Sequence, residues 1–255
     1  MAVAKAGQVR SQNEIPAGLF ESLNLRGINF DGKKIADICS GIGTFTRKLR
    51  LRKADVIGVE PSEDLLEKAK EISRARFEHI PFVNGTAEHT GLESSSYDLV
   101  TVYKAWHGFN RELALKEIKR ILMPMGKLIV SDAEFLRGNE AVEAAIKACE
   151  SFYGKTLWPA GSKAKSGQLI NSFPVKWFAE WKKNGFELRD FYKLDYSVTF
   201  SNEMLLNEVL ASYNAPAENT KEISLALTQD LDNQFGSSAS HAVPYASYVC
   251  ILDSY

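Results

Sequence analysis

The sequence predicts one α/β domain built on a mostly parallel central sheet and covered by a helical cap. Three observations carry this. Short apolar runs alternate with amphipathic helical patterns from Lys34 to Asp132. One of these runs, Lys34-Ile35-Ala36-Asp37-Ile38, breaks into a glycine turn that opens straight into a helix. Beyond Asp132 the alternation stops, and two helix-rich excursions interrupt the remaining strands. At 255 residues, 45% hydrophobic and 25% charged, the chain supports one substantial core with additions rather than two independent domains. The core is expected at about 30–134, 174–200 and 241–255, and the cap insertions at about 135–173 and 201–240.

The elements follow in order. Residues 1–8 are small and polar and are expected to be mobile. From Glu14 a helix is predicted, with Pro16 in its first turn, Leu19, Phe20 and Leu23 on one face, and Gly27 as a stop. The turn Cys39-Ser40-Gly41-Ile42-Gly43 follows the first strand. Without Cβ atoms its glycines can take positive φ and let the backbone approach a ligand, while the free N–H groups of the new helix favour negative charge. A dinucleotide turn would carry a third glycine where Thr46 stands, and Asp37 would repel a pyrophosphate while attracting an ammonium or sulfonium group.

The second strand, Ala54-Asp55-Val56-Ile57-Gly58-Val59-Glu60, ends 17 residues beyond Gly43. An acidic residue there either accepts hydrogen bonds from two ribose hydroxyls or is a surface turn carboxylate. Pro61 and Ser62 start a helix with Leu65, Ala69 and Ile72 on its apolar stripe and Glu63 and Asp64 in its first turn. A short third strand at Phe82-Val83 leads into Gly85-Thr86-Ala87-Glu88, and a continuous fourth, Leu99 to Val102, exits through Tyr103-Lys104-Ala105-Trp106-His107. The next helix turns Ala114, Ile118 and Ile121 inward and Glu117 and Lys119 outward, Met123 to Gly126 make a turn, and Lys127 to Asp132 form the fifth strand.

In the excursions, a helix is expected around Ala141 to Phe152, then a loop rich in Gly, Lys and Ser. Phe173-Pro174 opens a helix with Trp177, Phe178 and Trp181 facing the core, and Phe186 to Phe200 form the sixth strand. The second excursion holds a helix with Leu206, Val209, Leu210 and Tyr213 on one face and another from Thr220 to Leu231, before a last strand beginning at His241.

The loop from Asp37 to Gly43, with Glu60 and Gly85-Thr86-Ala87-Glu88, resembles the first motifs of class I S-adenosylmethionine-dependent methyltransferases, whose loop is of the type D-x-G-x-G-x-G. Cys39 and Ser40 stand at two of its small positions, and Thr86 stands where an aspartate is common. The strand-four exit is similar to the Q-A-F-H-W-F of the trans-aconitate methyltransferase-like subgroup, which carries a methyltransferase type 11 domain. Ala105, His107 and Phe109 agree with it, while Lys104, Trp106 and Gly108 depart. Leu122 to Gly126 keeps the proline and last glycine of the familiar L-x-P-G-G turn.

The resemblance implies a Rossmann-like seven-stranded sheet of order 3-2-1-4-5-7-6 with the last strand antiparallel. It implies S-adenosyl-L-methionine as cofactor, S-adenosyl-L-homocysteine as product, and a ligand set of Asp37, Ser40, Gly41, Gly43, Thr46, Glu60, Pro61, Thr86, Ala87, Glu88 and Tyr103. A small-molecule acceptor would meet Lys104, Trp106, His107, Trp158 and Tyr213, and Arg10 from an N-terminal lid.

Methyl transfer from a sulfonium is an in-line displacement that needs positioning and desolvation, with a base optional. His107 is the candidate base; the alternative is a histidine that packs against Trp106 or bonds a carbonyl. Lys104 either neutralises a substrate carboxylate or faces solvent. A net charge of −1 gives no bulk field for nucleic acid or an anionic membrane, and three scattered cysteines suggest neither a disulfide framework nor a zinc site. No metal site is visible. The expectation is a cytoplasmic monomer or homodimer acting on a small molecule, with a macromolecular methyltransferase or a non-catalytic S-adenosylmethionine-binding subunit as rivals.

Overall fold

The computed structural model describes residues 15–154, 156, 161–163, 166–213 and 220–255. Its sheet strands, numbered in chain order, are β1 (Lys34–Ile38), β2 (Asp55–Glu60), β3 (Phe82–Asn84), β4 (Tyr97–Tyr103), β5 (Leu122–Phe135), β6 (Phe186–Phe200) and β7 (His241–Ser254). They lie in the order β3-β2-β1-β4-β5-β7-β6. The first five pair in parallel, and β7 is antiparallel to both β5 and β6. This is the Rossmann-like arrangement the sequence implied. The helices are α1 (Ala17–Leu25), α2 (Thr44–Arg50), α3 (Glu63–Ala75), α4 (Arg111–Ile121), α5 (Glu140–Tyr153), α6 (Val175–Lys183), α7 (Asn202–Ser212) and α8 (Thr220–Phe235).

Both faces of the central strands are covered, which is why they read as unbroken apolar runs. Ile35, Leu99 and Ile129 pack against α1, α2 and α3, while Ile38, Val102 and Val130 face α4 and α6. Trp177 and Trp181 of α6 are fully buried in that second layer. The cap helices α5, α7 and α8 form a third cluster, which closes over the outer ends of β5, β6 and β7 through Phe135, Val198, Phe200 and Tyr245.

Five local expectations need correction. Met123 to Gly126, expected as a turn before a strand from Lys127 to Asp132, belongs to β5, which runs from Leu122 to Phe135 and shifts register against β4 there, from Tyr97 with Leu122 to Leu99 with Lys127. The buried stripe of α3 is Leu66, Ala69 and Ser73, not Leu65, Ala69 and Ile72. Both stripes share Ala69, and the sheet takes the side of it on which Leu66 lies. Glu117 points inward: it accepts hydrogen bonds from Thr90 N at 2.9 Å and Thr90 Oγ1 at 2.6 Å, tying the chain after β3 to α4. Arg120 above all, then Thr90, hold its carboxyl down at about 2. The segment before α6 is a short ladder of Leu169–Ile170 with Phe173–Pro174 rather than plain loop. The second cap helix runs on past Leu231 to Phe235.

Residues 1–8, Arg10 and Trp158 lie outside the described residues. Among the described residues no helix is long and apolar enough to cross a membrane.

Candidate active site

The carboxyl ends of β1, β2 and β4 meet at the glycine turn. Cys39, Gly41 and Gly43 all take positive φ, at 56°, 59° and 80°. The conformation of Cys39 explains why a glycine is usual at its place. The two glycines serve different ends. A Cβ on Gly43 would sit 2.5 Å from the Phe82 ring and 2.8 Å from Arg47, so this glycine lets the turn pack against β3 and α2. A Cβ on Gly41 would meet nothing within 4 Å among the described residues, so this glycine marks their open side. Arg47 Nη2 donates to the Ile42 carbonyl at 2.7 Å and braces the turn from beneath.

Three carboxylates surround the turn. Asp37, only 1% exposed, accepts hydrogen bonds from Thr46 Oγ1 at 2.6 Å and Thr101 Oγ1 at 2.8 Å. Burial outweighs these bonds and pushes its carboxyl up to about 6. Glu60, 2% exposed, accepts from Gly41 N at 2.8 Å and Ser62 N at 3.0 Å; burial raises its pKa against those two bonds. Glu88 Oε1 accepts from Asn110 N at 2.7 Å. Burial first, then Glu60, Glu88 and Asp37, push the Cys39 thiol up, which makes it a poor nucleophile.

The other cofactor-side residues lie around this turn and its neighbouring loops. Ser40 Oγ is buried and has no hydrogen-bond partner among the described residues. Pro61 offers its carbonyl to Asn84 Nδ2 at 3.3 Å. Thr86 closes its own turn, accepting from His89 N on Oγ1 at 3.1 Å, and Ala87 is buried between it and Glu88. Tyr103 stacks on Phe45 of α2 with centroids 5.1 Å apart and planes 6° from parallel.

The substrate-side residues are placed differently. Lys104 is not aimed at solvent or at a free pocket, because its Nζ pairs with Glu208 of α7 at 2.9 Å. Trp106, 2% exposed, packs against Phe109 and Trp181 in the core between sheet and α6. Tyr213 packs against Phe135 in the cap. His107 is half-buried in the short turn Trp106–Gly108, and its carbonyl accepts from Ser162 Oγ at 2.9 Å. The adjacent Lys163 pairs with Asp132 at 2.6 Å. Burial would push the Asp132 carboxyl up, but Lys163 and then His107 overcome this and hold it low. Thr101, Glu208, Asp132 and Lys163 were not found from the sequence. Only Thr101 carried a signal, as a lone hydroxyl in the apolar run of β4.

A glycine turn at the carboxyl edge of an open parallel sheet is where such folds bind ligands, and here Asp37, Glu60 and Glu88 stand around it. The comparisons with known proteins agree. The family described as "Methyltransferase domain" matches residues 36–130. The ubiquinone/menaquinone biosynthesis C-methyltransferase UbiE of Campylobacter jejuni is 30% identical over 185 residues, 65% of this chain and 75% of the relative. A Dictyostelium discoideum protein named as a methyltransferase is 36% identical over 141 residues, 54% of this chain and 52% of that one. The chain belongs to the class I S-adenosylmethionine-dependent methyltransferases and is an enzyme of that family. Solved structures share the fold at low identity. An S-adenosylmethionine-dependent methyltransferase from Aquifex aeolicus has a TM-score of 0.56 at 10% identity, covering 95% of each chain. The [4+2]-cyclase SpnF has a TM-score of 0.56 at 16% identity, covering 93% of this chain and 80% of that one.

Proposed function

We propose that this enzyme transfers a methyl group from S-adenosylmethionine to a small-molecule acceptor by in-line displacement. The observation that carries this reading is the convergence of Asp37, Glu60 and Glu88 on the glycine turn. That field is wrong for a pyrophosphate and right for a ligand with an ammonium and a sulfonium charge. The residues fit such a ligand. Among the described residues nothing crowds the open side of Gly41, and Ser40 Oγ is buried with no hydrogen-bond partner. A carboxylate has about four lone-pair sites, and Glu60 uses two on backbone N–H groups, which leaves two for ribose hydroxyls. When bound, the cofactor supplies an electrophilic methyl group on sulfur. Tyr103 would flank it, Thr86 to Glu88 would meet the adenine, and His107 would receive the acceptor's proton.

The Ala105-x-His107-x-Phe109 exit supports a place near the trans-aconitate methyltransferase-like subgroup. With Lys104 committed to Glu208, a hydroxyl acceptor is favoured over a carboxylate, alongside nitrogen and sulfur. The name of the Campylobacter relative adds carbon to the acceptors a screen must include. At about 100 times its dissociation constant, S-adenosylmethionine or S-adenosylhomocysteine should raise apparent stability by about 2.7 kcal/mol, whereas NAD should not. Melting curves unmoved by millimolar cofactor would remove the proposal. Release of S-adenosylhomocysteine across a metabolite panel, with RNA and protein as controls, separates a small-molecule enzyme from a macromolecular one. Binding without release would indicate a non-catalytic subunit.

Glu60→Ala is expected to weaken cofactor binding by about 2–3 kcal/mol, since it removes a charged acceptor from the ribose. Because the carboxylate also caps Gly41 N and Ser62 N, the variant should melt at a lower temperature as well. Calorimetry showing a wild-type dissociation constant would place the ribose contact elsewhere.

A further inference from the structure

The pair between Lys104 and Glu208 joins the exit of β4 to the cap, and its side chains are only 6% and 3% exposed. Glu208 Oε1 gathers three donors: Lys104 Nζ at 2.9 Å, Tyr245 OH at 2.7 Å and Ser212 Oγ at 3.3 Å. Two charges withdrawn from water this way gain little net stability over well-packed apolar side chains, so their use lies in fixing an arrangement. The arrangement at this point is unusual. Lys104 takes φ of 55°, a left-handed conformation that non-glycine residues adopt at a cost. Its N–H donates to the Ser131 carbonyl at 2.8 Å, so the bend follows directly on the last rung of the β4–β5 ladder, Tyr103 with Ser131. Tyr103, stacked on the helix of the glycine turn, lies just before the bend, and His107 lies three residues after it.

We propose that Glu208 is a positioning residue: by anchoring Lys104 from the cap, it holds the left-handed bend that aims Tyr103 and His107 into the active site. The role rests on the methyltransferase reading above, but the bend itself can be tested without cofactor. Glycine adopts φ near 55° without strain, which allows the bend to be separated from the charges that hold it. The test compares Lys104→Met/Glu208→Leu with Lys104→Gly/Glu208→Leu. In the first, the charges are replaced by apolar bulk and nothing favours the bend. In the second, the bend is available without the pair.

The methionine variant should bind S-adenosylhomocysteine about tenfold more weakly, the size of one left-handed non-glycine strain expressed as a binding constant. Its amide exchange from Tyr103 to Phe109 should be faster. Its melting temperature should nonetheless exceed that of Glu208→Leu alone, which leaves a lone buried lysine. The glycine variant should return affinity to within about threefold of wild type and restore slow exchange. Lys104→Gly/Glu208→Gln is the substitute if leucine is not tolerated, because an amide can still accept from Tyr245 and Ser212. A methionine variant with wild-type affinity and exchange would overturn the proposal. So would a glycine variant no better than the methionine one. If wild type binds no S-adenosylhomocysteine while the exchange pattern holds, the cofactor reading fails and the role of Glu208 in the bend stands.

Discussion

Replacing Asp37 with asparagine is expected to stabilise the cofactor-free protein at neutral pH and to weaken S-adenosylmethionine binding by about tenfold or more. The folded protein pushes this carboxyl from 3.8 up to about 6, mainly through burial. A carboxyl raised on folding contributes its full stability below its unfolded pKa and loses it as pH rises through the folded value. Wild-type stability should therefore fall between about pH 4 and pH 6, by roughly 3 kcal/mol for a shift of about two units. The asparagine variant keeps an oxygen for one of the two threonine hydroxyls and carries no charge to bury. Cofactor affinity should follow the opposite trend. A cationic ligand favours the ionised carboxylate, so wild-type affinity should climb across the same pH range while that of the variant stays flat. Urea melts at pH 4, 5 and 7.5, with calorimetry at the same pH values, measure both trends. An asparagine variant that is less stable at pH 7.5 and binds the cofactor normally would show that Asp37 is a structural brace only.

The part of the fold between Lys34 and Asp132 was legible because each strand is covered on both faces, which writes burial into the sequence as runs such as Leu99 to Val102. The glycine turn was legible for a similar reason, as Gly43 stands where the Phe82 ring excludes any side chain. What the sequence did not disclose were partners brought together from afar. Lys104 and Glu208 are 104 residues apart, and periodicity reports which face a residue occupies, not which charge meets it. Trp106 looked like a pocket residue because it follows a strand end at the ligand edge, yet Trp181 of α6 closes over it from a segment about 75 residues away. Glu117 read as solvent-facing from its charge, but the Thr90 hydroxyl and N–H and the Arg120 guanidinium give it a reason to point inward. Local pattern assigns elements, and the pairing of buried polar groups depends on the tertiary structure.

His107→Asn should lower turnover by about 10²–10³ with cofactor affinity unchanged, provided the imidazole takes the acceptor's proton in the transition state. The experiment sets that role against packing or a bond to a carbonyl. The indole of Trp106 turns away into the core, so the histidine is not needed to cover it. Ser162 holds the backbone of His107, and the ring lies near enough to Asp132, itself paired with Lys163, to help hold that carboxyl low. The wild-type rate should rise over the pH range in which an imidazole loses its proton. Since a neighbouring carboxylate favours the imidazolium, Asp132→Asn should move that rise to lower pH. Displacement at a sulfonium needs no base when the acceptor is already ionised. A loss of less than tenfold in His107→Asn would therefore favour a thiolate or carboxylate acceptor over a neutral hydroxyl. An asparagine variant as fast as wild type, on the acceptor found by the metabolite screen, would rule out the base.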